Sequence, residues 1–314
     1  MDSPTDIFRA SSMEACQLCP RKCLADRTKG LGFCGCTDQI RAARAALHHW
    51  EEPCISGQRG SGTVFFSGCT LRCCFCQNHT ISQENFGKEL TPGQLADIFL
   101  RLQEEGAHNI SLVTATQYLP RILTALDKVR HRLSLPIVYN CGGYERPELI
   151  RALKGYVDIW LPDLKYHDPA LSKRYSGASD YFDVASRAVS LMVAQTGAPV
   201  FHKEPGSTIP IMDRGVIIRH LVLPGHKEDS IRLLRWMAVT LPKDQYLISL
   251  LSQYTPFYKS RLYPELNRRI TSYEYQKVVD AAVELGLEQG FMQKKSSAAE
   301  EYTPPFDLSG LSAE

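Results

Sequence analysis

From Gly62 onward, short runs rich in β-branched and aromatic residues alternate with segments whose apolar residues recur every three to four positions. The runs predict strands at 63–67, 109–114, 136–140, 157–161, 216–223 and 245–250. Thr91 and Pro92 supply an N-cap and a first-turn proline for a helix that places Leu95, Ile98, Phe99 and Leu102 on one face before Gly106. Further helices are predicted at 119–131, 146–154, 170–175, 181–195, 229–241 and 272–285. Six strands in this rhythm predict an α/β fold, a partial (β/α)6 barrel of the TIM type with helices around a parallel sheet. Residues 1–57 fall outside the rhythm and form a Cys-rich N-terminal segment. Residues 58–293 make the barrel, and 294–314, with Ser296, Ser297, Pro304 and Pro305, make a flexible tail.

Composition narrows the function. The chain has 314 residues, 44% of them hydrophobic and 22% charged, enough for a sizeable core. A formal net charge of +2 argues for neither a nucleic acid nor a membrane surface as partner. No apolar run approaches the roughly 18 residues of a membrane span, and the first residues lack a signal-peptide core. Of 11 cysteines, ten precede residue 77 at metal-type spacings, which points to iron or zinc in a reducing, cytoplasmic setting.

The most informative spacing is Cys69-x3-Cys73-x2-Cys76, in the loop that follows the first barrel strand. Three thiolates hold three irons of a 4Fe–4S cube and leave the fourth open, whereas four would close the cluster. Three buried structural cysteines are the plain alternative. A zinc site wants four ligands, usually in CxxC knuckles. Cys74, between two ligands, would point away from the three.

This triad, with Phe75 before its last cysteine, resembles the radical S-adenosylmethionine (SAM) signature. The similarity extends over roughly residues 14–293 to activating enzymes of pyruvate formate-lyase and an uncharacterised branch like them. It is carried by 48–57, Gly60 to Thr63, 67–78, the Tyr139-Asn140 turn, 161–166 and 219–225. The resemblance implies a 4Fe–4S cluster, SAM chelated at the open iron, and reductive cleavage of SAM to methionine and a 5′-deoxyadenosyl radical that abstracts hydrogen from a substrate. Many relatives carry Gly-Gly-Glu after the second strand to bind the SAM amino group. Here Thr114, Thr116 and Gln117 stand in its place, either as hydroxyl and amide acceptors for SAM or with Thr116 as a helix N-cap.

Polar residues at the C-terminal ends of barrel strands are the first candidates for a site. Asn140 ends the third strand as a cofactor contact. Asp163 and Lys165 alternate with Leu164 after the fourth and point to one side. They form a salt bridge or, as the resemblance favours, a catalytic pair touching substrate and SAM. Asp163, facing a polar mouth, is expected to matter more to turnover than to stability. Arg219 on the fifth strand offers a planar fork to a SAM carboxylate, and Gln253 or Tyr254 after the sixth a contact to adenosine.

A second thiol group, Cys16, Cys19, Cys23 and Cys34 with Cys36 in reserve, reads as a zinc site or a second 4Fe–4S cluster that staples a segment poor in apolar residues. His48, His49 and Cys54 read as further ligands or as a polar linker across the barrel mouth. With no nucleotide-binding glycine fingerprint, the chain requires an external electron donor of flavodoxin or ferredoxin type. The leading function is a radical SAM enzyme acting on a protein or peptide, such as glycyl-radical activation. The others are small-molecule modification and a non-catalytic iron–sulfur or metal-binding protein.

Overall fold

The computed structural model describes residues 13–293 and 303–311. All six expected strands are present: β2 (Ser61–Phe66), β4 (Ile110–Val113), β5 (Ile137–Cys141), β6 (Ile159–Pro162), β8 (Pro210–Leu221) and β9 (Leu247–Leu251). They pair in parallel in that order and curve into a partial barrel. Four strands were not expected: β1 (Ile40–His48), β3 (Lys88–Leu90), β7 (Val200–Lys203) and β10 (Gly290–Met292). β1 is antiparallel to β2 and carries β3 on its other side, while β10 extends the sheet beyond β9. Its sequence, Ile-Arg-Ala-Ala-Arg-Ala-Ala-Leu-His, has little β-propensity, yet Ile40, Ala42, Ala43 and Ala45 are wholly buried. Packing against the sheet, not propensity, makes it a strand.

The helices follow the predicted phases. α1 (Pro53–Ser56) and α2 (His79–Ser82) are single turns. α3 (Pro92–Glu104) opens with a capping box in which Gln94 N donates to Thr91 Oγ1 at 3.2 Å and Thr91 N to Gln94 Oε1 at 2.9 Å. α4 (Leu119–Val129), α5 (Pro147–Ala152), α6 (Pro169–Ser176), α7 (Tyr181–Thr196), α8 (Lys227–Thr240) and α9 (Ser272–Glu284) complete the set among the described residues. Among them, no helix is long and apolar enough to cross a membrane.

Two expectations about the chain's ends change. The linker with Cys54 does not cross the barrel mouth. β1 ends beside the start of β2, so this linker lies at the opposite end, where Asn109 Nδ2 donates to Ile55 O at 2.8 Å. Cys54 and Ile55 fill the barrel's base against Val138, Ile159, Leu161, Met212 and Ile217, and buried His48 meets the Phe65 ring edge-on. The tail expected to be flexible is partly docked: Leu308 N donates to Ala43 O at 3.0 Å and Ala45 N to Ser309 O at 2.9 Å, and Leu311 is buried. Its remaining residues, 294–302 and 312–314, lie outside the described ones.

Candidate active site

The loop after β2 folds back over the barrel mouth. Gly68 turns it with φ 78°, and a Cβ there would lie 2.0 Å from Cys36 Sγ, so the position admits only glycine. Cys69, Cys73 and Cys76 face one another, and Lys165 lies among their charged neighbours. Each sulfur has its own hydrogen-bond partner. Leu71 N donates to Cys69 Sγ at 3.4 Å, Ser176 Oγ donates to Cys73 Sγ at 3.0 Å, and Ser82 Oγ lies 3.2 Å from Cys76 Sγ. Burial, then the neighbouring thiols, pushes the Cys69 thiol far up and the Cys76 thiol up to about 11. Such thiols yield their protons to a metal, and hydrogen-bonded sulfurs beside a lysine suit the negative charge of a four-iron cluster. Cys74 turns the other way: its N–H bonds Tyr175 O at 2.8 Å, and its surroundings include Arg174 and Glu265.

Beneath the loop is a polar layer. Sheet register sets the ends of β5, β6 and β8 side by side, with Asp163 bridged to Arg219. Arg219 Nε donates to Asp163 Oδ1 at 2.9 Å, Nη1 to Glu51 Oε2 at 3.1 Å and Nη2 to Asn140 Oδ1 at 2.6 Å. Asn140 Nδ2 donates to Glu51 Oε1 at 3.0 Å. The fork expected to grip a carboxylate is thus filled by protein groups, and so is Asn140. Lys165 Nζ bonds Asp163 Oδ2 at 2.6 Å and remains turned toward Cys73. Burial opposes ionised Asp163, but Arg219 and Lys165 prevail and hold its carboxyl below the usual range. Burial raises Glu51 and Glu52, Arg219 countering in part, and Glu52 Oε2 has no hydrogen-bond partner. Sequence reasoning missed these two acids, because they reach the layer from the barrel's far end.

Gly143, at φ 74°, packs so tightly that a Cβ would fall 2.2 Å from Asp163 O. The Tyr181 hydroxyl, also missed, accepts from Lys165 N at 2.9 Å and lies 2.9 Å from both Gly142 O and Asp163 O. Together they fix the height of Lys165.

Thr114, Thr116 and Gln117 follow β4, and Thr116 does not act as an N-cap. Thr114 is held at φ 58°, rare for a β-branched residue, which turns its carbonyl toward Gln117. Gln117 Nε2 is within hydrogen-bond reach of Ser67 O, Gly68 O and Thr114 O, so its amide braces the cluster loop, while Oε1 is buried without a partner. Thr116 Oγ1 donates to Glu145 Oε1 at 2.7 Å and meets Tyr139 Oη at 2.9 Å. Burial raises Glu145 to about 8, and its Oε2 too is unpartnered. Gln253 lies farther out, its Oε1 accepting from Gln293 Nε2 at 2.9 Å, and Tyr254 Oη bonds Leu266 O.

The N-terminal segment clamps this mouth from outside. Arg21 Nε donates to Thr70 O at 3.0 Å and Nη2 to Ser176 O at 3.1 Å, joining the cluster loop to the end of α6. Cys16, Cys19, Cys34 and Cys36 are buried, whereas Cys23 is exposed. On the outer side of the cluster loop lies a cavity of about 430 Å³, whose lining includes Arg72, Cys74, Lys173, Arg174, Tyr258 and Lys259.

A family model described as the Radical SAM superfamily matches residues 63–237. An uncharacterized protein of Methanocaldococcus jannaschii is 30% identical over 283 residues, covering 87% of this chain and 75% of its own. Among solved structures, Streptococcus suis SuiB bound to S-adenosylmethionine superposes with a TM-score of 0.49 at 12% identity, over 72% of this chain and 48% of SuiB. A domain of pyruvate-formate lyase-activating enzyme from Bacteroides vulgatus gives a TM-score of 0.37 at 14% identity, over 65% of this chain and 91% of that domain. The chain spans about half the length of SuiB.

Proposed function

The chain belongs to the radical SAM superfamily, which binds a 4Fe–4S cluster and SAM, and from that premise we propose that it is an activating enzyme-like catalyst acting on a protein or peptide. The observation that carries this reading is the set of three inward-facing thiols, each with its own hydrogen-bond partner, beside Lys165. When bound, the cluster and SAM supply a 5′-deoxyadenosyl radical after one external electron enters. Cys69, Cys73 and Cys76 would hold three irons, and Cys74 would not. Lys165, kept cationic by Asp163, is the charged group best placed to meet the SAM carboxylate, since Arg219 is spent on Asp163, Glu51 and Asn140. Gln117 Oε1, buried and unpartnered, is an acceptor for amino or amide donors entering the mouth.

A protein or peptide target, such as a glycine backbone, is supported by the resemblance of the cysteine loop and its flanking motifs to activating enzymes of pyruvate formate-lyase. The cationic cavity beside Cys74 suits an acidic one-electron donor of flavodoxin or ferredoxin type, because the chain as a whole carries only +2. The test is anaerobic reconstitution, reduction and addition of SAM, followed by glycine-rich peptides deuterated at Cα. Formation of 5′-deoxyadenosine carrying the peptide's deuterium supports the proposal. Cleavage of SAM without deuterium transfer from any peptide points to a small-molecule substrate, and no cleavage defeats the catalytic reading.

A further inference from the structure

Among the described residues, Arg27 is a buried cation with no carboxylate paired to it. Its side chain is wholly inaccessible. Nε donates to Cys36 O at 3.2 Å and Nη2 to Thr37 O at 2.5 Å, while Nη1 lies 3.7 Å from both Met13 Sδ and Cys16 Sγ. Among the described residues no acidic side chain forms an ion pair with it, and the ionisable groups it faces are the thiols of Cys34, Cys16 and Cys36. A charge taken out of water without a counter-ion is strongly unfavourable. Among the described groups, those sulfurs are the ones that act on it most and can supply an anion.

Backbone geometry gathers the sulfurs as two facing turns. In the first, Lys22 N bonds Cys19 O and Leu24 N bonds Cys16 O, at 3.1 and 3.0 Å. In the second, Gly35 N bonds Gly32 O at 2.9 Å and Gly32 N bonds Cys36 O at 3.0 Å. Cys16, Cys19, Cys34 and Cys36 are 5, 9, 9 and 1% exposed. Cys19 faces Cys16 and Cys34, and Cys34 is bonded to Cys36. Cys23 instead projects into solvent between Lys22 at φ 41° and Leu24 at φ 55°. Among the described residues the segment's own apolar cluster is Met13, Cys16 and Leu18.

We propose that Cys16, Cys19, Cys34 and Cys36 ligate a second metal centre whose negative charge is balanced by buried Arg27, and that Cys23 lies outside it. Binding releases the protons the thiols still carry and leaves a closed, four-thiolate site with no open position for SAM. Among the described residues no group of three or more His, Cys, Asp or Glu side chains stands gathered as the ligands of a metal ion, so these thiols would have to draw together on binding. The centre stands directly behind the catalytic loop. Cys36 Sγ contacts Ser67 O at 3.4 Å, and Cys69 N bonds Cys34 O at 3.3 Å.

The test counts iron, sulfide and zinc in anaerobically prepared full-length protein and its variants, which needs no substrate. Wild type should hold about four irons beyond the catalytic cluster, or about one zinc. Cys36→Ser and Cys16→Ser should lose that increment and keep the catalytic cluster with SAM binding, and Cys23→Ser should lose nothing. Arg27→Met should lower occupancy of the second centre alone. Because Cys36 touches the catalytic loop, Cys16→Ser decides the matter if Cys36→Ser sheds all its metal. Wild type with only the catalytic irons and no zinc, or loss of the second metal in Cys23→Ser with retention in Cys36→Ser, overturns the proposal. Neither result bears on whether the first cluster cleaves SAM.

Discussion

Ser176 Oγ donates to Cys73 Sγ across 3.0 Å, tying the last residue of α6 to the middle thiol of the triad. A hydrogen bond to an iron-bound sulfur withdraws charge and favours the reduced cluster. Ser176→Ala should therefore keep its iron yet lower the cluster's reduction potential and slow 5′-deoxyadenosine formation by about 10-fold. Redox titration followed by electron paramagnetic resonance checks it, and an unchanged potential would refute the assigned role.

Cys73 and Cys74 are neighbours in sequence with opposite destinations. Each of Cys69, Cys73 and Cys76 changed to Ala should abolish SAM cleavage and cluster binding. Cys74→Ala should retain activity to within about twofold, because its thiol lies toward the outer cavity. Loss of the cluster in Cys74→Ala with retention in Cys73→Ala would reverse the ligand assignment.

The thiol triad and the six-strand rhythm were legible because each rests on local spacing: Cys69, Cys73 and Cys76 share one loop, and β2 to β9 carry their own apolar runs. What escaped depends on distant chain segments. β1 is written in alanine and arginine and becomes a strand only against β2. Glu51 reaches Arg219 across 168 positions, so nothing near Arg219 announces that its fork is filled. Arg27 reads as an ordinary surface cation until two turns close around it. The sequence did hold one usable signal, the Cys34-Gly-Cys36 pair.

Asp163 illustrates how the geometry revises an expectation. It was expected to affect turnover more than stability, but it lies between Arg219 at 2.9 Å and Lys165 at 2.6 Å, so removing its charge leaves Lys165 without its anion and Arg219 with Glu51 alone. Asp163→Asn should lose about 2 kcal/mol of stability, less than the roughly 3–5 kcal/mol of a fully buried pair, because the side chain is 24% exposed. Turnover should fall too, as Lys165 loses its anchor. Denaturant unfolding beside an activity assay measures both, and a stable but inactive variant would show that the layer is not held by this charge.

Glu145 sets a pH dependence. Burial raises its folded pKa to about 8, so between the unfolded value near 4.5 and about 8 the folded chain holds a proton that the unfolded chain has released. Stability should fall as pH rises through that window, by up to about 1.4 kcal/mol per pH unit from this group. Glu145→Gln should flatten the slope and stabilise the protein at pH 8 relative to wild type. Parallel slopes for the two proteins would place the Glu145 carboxyl in water rather than in the core.

Electron entry is the remaining step that the surface lets us test. Lys173 and Lys259 line the cavity on the outer side of the cluster loop, with Arg72 and Arg174 beside them and Cys74 in its wall. Arg174 is already paired with Glu265 at 2.9 Å, so the two lysines are the better levers. An acidic donor is steered by such a patch chiefly in its association rate, and salt screens the effect over a Debye length of about 10 Å at 0.1 M. The double variant Lys173→Glu, Lys259→Glu should be reduced about 10-fold more slowly by a flavodoxin-type donor at low ionic strength, with the gap closing at high salt. Reduction by dithionite, which requires no protein docking, should be unaffected. If the variant is slow with dithionite as well, the substitutions have disturbed the cluster loop itself, and the cavity is not the donor's landing place.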